Sequence, residues 1–311
     1  MAVLISVKTT DWMDPEAVMG ALRQLLPDAD LRLAGDPGRP EEIEMMVVDR
    51  LDPGEAGRFP ALRLVQKLGA GVEKIVAQPD LPPHIRVSRL KPDAPAREMA
   101  EFALAYVLRD HRHLRFYEAE QAAGRWTKVE PREAPEVCVG VLGLGHIGAR
   151  IARSFAALDF TVIGYSRSPK QLPGVACHSG PEGLQTVLRC SDYLVACLPS
   201  TTETLNLMDR AAFAAMKPGA CLINVGRGDL VVEEELLASL EAGHLGGAVL
   251  DVLREEPPPA DHPFWRHPKV TLTPHVSGWH LTGGFEQVAE NYRRLRNDQP
   301  LINEVDRRLG Y

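Results

Sequence analysis

Three residues whose side chains suit anion binding and proton transfer each stand just beyond a short apolar run in the second half of the chain. Arg227 follows ACLINV in the segment NVGRGDLV, Glu256 follows AVLDVL in LREEPPP, and His275 follows VTLTP in TPHVSG. A planar guanidinium can hold a carboxylate and a neighbouring carbonyl oxygen at once, which an ammonium does less well. That is a grip suited to a 2-oxo acid. An imidazole carries protons near neutral pH, and a carboxylate bonded to its second nitrogen orients the ring. Taken singly, each residue also fits a plainer role: a loop ion pair for Arg227, a surface acid for Glu256, a helix cap or core hydrogen bond for His275. Three such residues after three strands of one sheet point instead to a site, because ligands of open parallel sheets collect at the carboxyl ends of the strands.

A second cluster suits phosphate. GLGHIG, Gly143 to Gly148, lies between the apolar run VCVGVLG and the helical run IGARIARSFAAL. Gly143 permits a tight turn, Gly145 lets a pyrophosphate approach the backbone, and Gly148 lets helix and strand pack closely. The helix amino terminus adds free N–H groups and a partial positive charge. The next run, FTVIGY, ends where an acidic side chain would bond the 2′-hydroxyl of a coenzyme ribose, and it is followed by Ser166, Arg167 and Ser168. A guanidinium and two hydroxyls suit a 2′-phosphate, so NADP(H) is expected and NAD(H) is less favoured; the plainer reading is a solvated loop. Asp159 is acidic but stands at the wrong end of that strand. The residues expected at the coenzyme are Gly143, Gly145, His146, Ile147, Ser166, Arg167, Ser168, Leu198, Pro199, Thr204, Val225, Gly226, Arg227, Asp251 and His275. Gly226 and Gly228 are expected to free the backbone that aims Arg227.

Short apolar runs alternate with helical-period segments along nearly the whole chain, the pattern of parallel sheets covered by helices. VLISV, ADLRL, EMMVV, RLVQK and IRVS predict strands of a first unit, with helices over Pro15 to Leu26 and Val72 to Ala77. From Ala94 a run of helical period longer than an ordinary helix, ending near Gly124, predicts a bridge into a second unit. There VCVGVLG, FTVIGY, YLVACLP, ACLINV, AVLDVL and VTLTP predict strands, and FEQVAENYRRLRN an amphipathic helix that returns to the first unit. The expected fold is α/β, two Rossmann-like or flavodoxin-like domains with parallel sheets and an active site in the cleft between them. Residues 1–95 with 285–311 are expected to bind substrate and residues 96–284 to bind NADP(H).

The 311 residues suit two domains better than one. A balance of 35 Lys+Arg against 42 Asp+Glu, net −7, argues against nucleic acid or anionic lipid as partners and leaves small molecules. MAVLISVKTTDW has a short apolar run with no basic segment before it and is expected to be a first strand, not a signal peptide; no run is long enough for a bilayer. The five cysteines, Cys138, Cys177, Cys190, Cys197 and Cys221, show no Cys-x-x-Cys spacing, which suits a reducing cytoplasm. Cys138, Cys197 and Cys221 lie in apolar runs and are expected to pack in the core. His111 and His113, two apart on a helix, do not share a face, so a solvated surface is expected and no metal. Glu233, Glu234 and Glu235 read as the acidic first turn of a helix, and Asp251 as a buried structural acid near the site.

The chain resembles the D-2-hydroxyacid dehydrogenase family, nearest its glyoxylate/hydroxypyruvate reductase A branch. The resemblance runs over essentially the whole chain through LGAGVEKI, REMAEFALAYVL, GRW, VLGLGHIGARIA, LPSTTETLNLM, LINVGRGDLV, LDVLREEPPP and TPHVSG. It implies that Arg227 binds the substrate carboxylate and carbonyl, that His275 is the acid with Glu256 as its partner, and that backbone amides at Ala70 and Gly71 meet the carboxylate. It also implies a homodimer, and a first domain interrupted by the cofactor domain. Glu73 departs from the usual Asp, Asp49 and Arg50 stand where an aromatic is common, and Trp279 and His280 replace small residues. These differences leave the hydride chemistry intact and the choice among small 2-oxo acids open. The expected activity is NADPH-dependent reduction of glyoxylate and hydroxypyruvate to glycolate and D-glycerate. The alternatives are an NAD-linked dehydrogenase of another 2-hydroxy acid, which Ser-Arg-Ser disfavours, and a regulatory protein that senses NAD(P)H, which the triplet disfavours.

Overall fold

The apolar runs pair into two all-parallel sheets. The computed structural model describes residues 1–10 and 12–310. The first unit contains β1 (Ala2–Ser6), α1 (Pro15–Leu25), β2 (Asp30–Leu33), β3 (Ile43–Val48), β4 (Leu64–Lys67), α2 (Glu73–Val76) and β5 (Arg86–Ser88). Its strands lie in the order β2-β1-β3-β4-β5. A parallel sheet covered on both faces needs strands apolar on both faces, and AVLIS of β1 is buried throughout. α1 begins where Asp14 accepts a hydrogen bond from the Glu16 amide at 3.1 Å and Pro15 occupies the first turn. It buries Val18, Met19 and Leu22.

The second unit is built from α3 (Asp93–His111), α4 (Leu114–Ala122), β6 (Cys138–Leu142), α5 (His146–Ala156), β7 (Thr161–Tyr165), β8 (Ala176–His178), α6 (Gly180–Cys190), β9 (Tyr193–Ala196), α7 (Arg210–Ala215), β10 (Cys221–Asn224), α8 (Glu233–Glu241), β11 (Gly247–Leu250) and β12 (Val270–Leu272). Its seven strands run β12-β11-β10-β9-β6-β7-β8, so the order reverses beside β6, between β7 and β9. The first six of these strands in chain order have the doubly wound dinucleotide-binding arrangement, and the first unit has the flavodoxin-like one. Both sheets thus have the expected topology.

α9 (Gly284–Arg296) closes the first unit, burying Val288, Ala289, Tyr292 and Leu295 in one core cluster with Val18 and Leu22. The compact units are Met1–Ala94 with the chain from His280 onward, and Pro95–Trp279. The return therefore comes earlier than residue 285. Leu281 packs into the first unit's core, whereas the Trp279 amide is held by Glu98 at 2.6 Å. Asn291 on α9 carries the polar part of that closure: its Nδ2 donates to Gln66 Oε1 at 2.8 Å and Ser88 Oγ at 3.0 Å, and its Oδ1 accepts from the Ile302 amide at 2.8 Å. All three side chains are fully buried. Asn291→Ala removes the partners of Gln66 Oε1 and of the Ile302 N–H at a fully buried position, so it is expected to lower stability by about 2–4 kcal/mol. Urea unfolding, with the midpoint falling at unchanged slope, checks this.

Three expectations need correction. The long run from Ala94 is two helices, because His113 takes a left-handed conformation (φ 54°) that ends α3 and starts α4. His111 is not solvated: it is buried with its ring edge against Phe160, centroids 5.3 Å apart. Burial, with help from the nearby cations Arg112, His113 and Arg132, holds its pKa below the usual histidine range. The edge strand β8 was not among the expected strands; at three residues, none of them buried, it carries no apolar signal.

Candidate active site

Register puts the ends of six strands in one row. Leu142 of β6 lies opposite Tyr165 and Ala196, Asn224 opposite Ala196 and Leu250, and Leu250 opposite Leu272. The residues one step beyond, including Gly143, Ser166, Val225 and Asp251, therefore emerge along one edge. The residues expected at the coenzyme and at the catalytic site of the second unit lie on loops or helix starts that leave this edge.

His275 Nδ1 donates to Glu256 Oε2 at 2.8 Å, since a carboxylate can only accept. The other oxygen, Oε1, accepts the Leu253 amide at 2.9 Å, so the carboxylate is held at both ends. Nε2 is left as the ring nitrogen for a reacting group. The His275 side chain is 53% exposed and that of Glu256 39%, and so exposed a pair contributes at most about 1 kcal/mol to folding. Its geometry serves orientation, not stability. His275 itself sits at φ 57°, a conformation costing a non-glycine residue about 1–2 kcal/mol. Asp251 offsets that cost. Its carbonyl accepts the His275 amide at 2.9 Å, and its carboxylate accepts the Thr273 hydroxyl at 2.6 Å and the Val276 and Ser277 amides at 2.8 and 2.9 Å. The expected buried structural acid is thus the clamp of the histidine loop.

Arg227 is extended (φ −139°) at the exit of β10 and half-buried. Asn224, which sequence reasoning did not single out, bonds its loop twice: Nδ2 to the Arg227 carbonyl at 2.9 Å and Oδ1 from the Gly226 amide at 3.1 Å. A buried Asn at the end of an apolar strand was the available signal. Gly226 and Gly228 act differently from expectation. Neither has positive φ. A Cβ on Gly226 would come 2.9 Å from the Leu198 carbonyl oxygen, and one on Gly228 2.0 Å from the Leu253 carbonyl. They are glycines because neighbouring backbone leaves no room.

The glycine loop has the geometry expected of Gly143 and Gly148. Gly143 has φ 99°, and a Cβ on Gly148 would lie 1.7 Å from the Gly143 oxygen. Gly145 is exposed at the start of α5, and a Cβ there would meet nothing within 4 Å, which makes an open cradle over the helix N–H groups. His146 and Ile147 form the first turn of α5. Among the described residues the buried Oδ1 of Asp229 lacks a hydrogen-bond partner, while Oδ2 accepts the Ser200 hydroxyl. The strand order, the cradle and this unsatisfied acceptor fit a dinucleotide.

In the ribose-end loop the three residues divide. Ser166 is buried and gives its proton to the Ser168 carbonyl at 2.7 Å, so it shapes the turn; Arg167 and Ser168 are exposed. Arg167 faces Glu203 at 3.6 Å. Thr204 spends its hydroxyl proton on the Pro199 carbonyl at 2.6 Å and accepts the Thr201 amide at 2.8 Å, closing the loop that follows Leu198; Val225 is buried.

In the first unit, the turn after β4 presents amides. The Leu68, Gly69 and Ala70 carbonyls are taken by Lys67 Nζ (2.9 Å), the Leu90 amide (2.9 Å) and Arg89 Nη1 (3.1 Å). Among the described residues the Ala70 and Gly71 amides have no acceptor, the form of an anion-binding nest. Asp49 is buried at the end of β3 with its carboxylate bonded by the Lys8 and Thr9 amides at 2.8 and 2.9 Å. Burial opposes its charge, but these bonds win and hold it below the usual carboxylate range.

Burial pushes the Cys138 thiol up to about 11 and those of Cys197 and Cys221 to about 12, which disfavours their thiolates; Cys138 lies in a core cluster, and Cys197 and Cys221 are partly buried against one. Among the described residues there is no cluster of three or more metal-ligating side chains, and no helix is long and apolar enough to cross a membrane.

Residues 104–277 match the family model for the D-isomer specific 2-hydroxyacid dehydrogenase, NAD binding domain. The chain is 37% identical over 306 residues to the glyoxylate/hydroxypyruvate reductase A of Serratia proteamaculans, covering 96% of this chain and 97% of that one. Among solved structures, a D-isomer specific 2-hydroxyacid dehydrogenase from Xanthobacter autotrophicus in complex with NADPH and MES superposes with a TM-score of 0.94 at 40% identity, covering 100% and 99%. The NADPH-dependent glyoxylate/hydroxypyruvate reductase of Sinorhizobium meliloti, in complex with NADP and sulfate, gives 0.91 at 33% identity, covering 100% of both. With a family model spanning more than half of it and relatives alike from end to end, this chain belongs to the D-isomer specific 2-hydroxyacid dehydrogenase family.

Proposed function

We propose that this protein reduces small 2-oxo acids with NADPH, glyoxylate to glycolate and hydroxypyruvate to D-glycerate. The observation that carries the reading is the His275–Glu256 hydrogen bond of 2.8 Å on the same sheet edge as Arg227. The bound coenzyme supplies hydride to the carbonyl carbon. Arg227 grips the substrate carboxylate and carbonyl oxygen, opposing the negative charge that grows on that oxygen. His275 delivers the proton from Nε2, while Glu256 holds the ring and balances its charge. The Ala70 and Gly71 amides are proposed as further donors to the carboxylate. Gly143, Gly145, His146 and Ile147 would hold the pyrophosphate, and Leu198, Pro199, Thr204, Val225 and Gly226 would line the coenzyme. Arg167 and Ser168 would hold the 2′-phosphate, with Ser166 setting their turn.

Steady-state assay of NADPH and NADH against a panel of 2-oxo acids tests the reading. Failure to oxidise NADPH with either glyoxylate or hydroxypyruvate would sink it. Arg167→Ala is expected to raise KM for NADPH by about 10–100-fold, the worth of a charge-assisted hydrogen bond, and to leave KM for NADH within about twofold. Equal losses for both coenzymes would remove the phosphate contact. A cytoplasmic homodimer is the proposed form: the cysteine pattern suits a reducing compartment, and Leu114, Phe116 and the 94%-exposed Trp126 leave apolar surface on the second unit. Light scattering that returns a monomer mass would exclude the dimer.

A further inference from the structure

We propose that Arg254 is a positioning residue for the proton-delivering pair, a strut that fixes the Glu256 loop against the Arg227 loop and the loop after β9. The inference rests on the activity proposed above. Arg254 Nε donates to the Val231 carbonyl at 2.7 Å, and Nη2 to the Asp229 carbonyl at 3.2 Å and to Asn206 Oδ1. Its own amide donates to Glu233 Oε1, at the first turn of α8, at 3.0 Å. One guanidinium therefore joins the segments that leave β9, β10 and β11.

The neighbouring peptide explains what this does for the chemistry. Leu253, one residue before Arg254, supplies the amide that holds Glu256 Oε1, and Glu256 Oε2 holds His275. The same stretch is pressed against the Arg227 loop, since a Cβ on Gly228 would lie 2.0 Å from the Leu253 carbonyl and 2.5 Å from the Arg254 nitrogen. Any slack at Arg254 is passed by one peptide to the Leu253 amide and from there to the imidazole. The residues from Arg254 to Pro257 are exposed, so there is little packing to take up that slack. Lysine cannot replace the strut, because these acceptors need donors in a fixed planar fork and an ammonium is a single point.

The test compares Arg254→Ala and Arg254→Lys with the wild type. Turnover with glyoxylate and NADPH is expected to fall on the order of 10–100-fold in both, as for a catalytic group misplaced by a fraction of an ångström to an ångström. Binding of NADPH, followed by fluorescence, should weaken by less than turnover falls, because the braced loops also line the proposed coenzyme site while the Glu256–His275 pair does not depend on the coenzyme. The solvent deuterium isotope effect on kcat should rise, since proton delivery becomes the slow step, and added guanidinium ion should restore part of the Ala variant's turnover. A kcat within about twofold of wild type in both variants, or a loss with unchanged isotope effect and no rescue, overturns the proposal. Hydrogen exchange on the full chain reads the strut without any substrate. Faster exchange at residues 226–231 and 253–256 in Arg254→Ala, with the rest unchanged, is expected; unchanged exchange there overturns it. A wild type that reduces no 2-oxo acid refutes the proposed activity, and the exchange measurement still decides the strut.

Discussion

Replacing His275 by Ala is expected to lower kcat for glyoxylate reduction by about 10²–10⁴-fold, the usual contribution of a positioned general acid. The magnitude follows from what the variant keeps. Asp251 clamps the loop through the main-chain amides of residues 275, 276 and 277 and the Thr273 hydroxyl, none of which belongs to the imidazole. The backbone should therefore stay in place. The lost pair was largely solvent-exposed and gave little stability. Coenzyme affinity should change little, and the loss should fall on kcat. Stopped-flow measurement of NADPH oxidation at saturating substrate, with the melting temperature as control, checks it. Near-normal turnover would show that His275 is not the donor.

Arg227→Ala should cost on the order of 10²–10⁴ in kcat/KM for the 2-oxo acid. Two charge-assisted hydrogen bonds to a substrate are worth about 3–6 kcal/mol together, and some of that is realised only as charge develops on the carbonyl oxygen. Both KM and kcat should suffer. Lysine should recover only part of the loss, since it restores charge without the fork. The loop itself is held by Asn224 through the main chain of Gly226 and Arg227, so truncating the guanidinium leaves it positioned. Arg227 Nη1 also donates to the Gly226 carbonyl at 2.6 Å, a bond between adjacent residues. Steady-state kinetics across a substrate series would read the split. A variant whose KM for the 2-oxo acid is unchanged would remove Arg227 from carboxylate binding.

Much of this was legible in the residues themselves. Strands buried on both faces are predominantly apolar, so AVLIS, IEMMVV and YLVA, polar only at Ser6, Glu44 and the Tyr193 hydroxyl, announce a parallel sheet without any partner in view. The glycine loop was legible because Gly143 and Gly148 answer local demands, a positive φ and a helix–strand approach. Signals failed where the deciding contact is remote in sequence. His113 breaks a helical run whose period gives no warning, and His111 is buried by Phe160 from another element. Ser166 read as a phosphate donor, but its hydroxyl proton belongs to a turn that only the folded loop defines.

The amino-acid sequence by itself determined the two parallel α/β units, and it singled out the glycine loop proposed for the coenzyme and the proposed triplet Arg227, Glu256 and His275, because each rests on local period or on side-chain chemistry. Only the tertiary structure decided how those residues are held. Asp251 clamps the His275 loop from the end of β11, Asn224 fixes the Arg227 loop, and the Leu253 amide and Arg254 secure Glu256. Hydrogen bonds of this kind act over a few ångströms between segments brought together by strand register. No spacing along the chain can announce them before the sheet has formed.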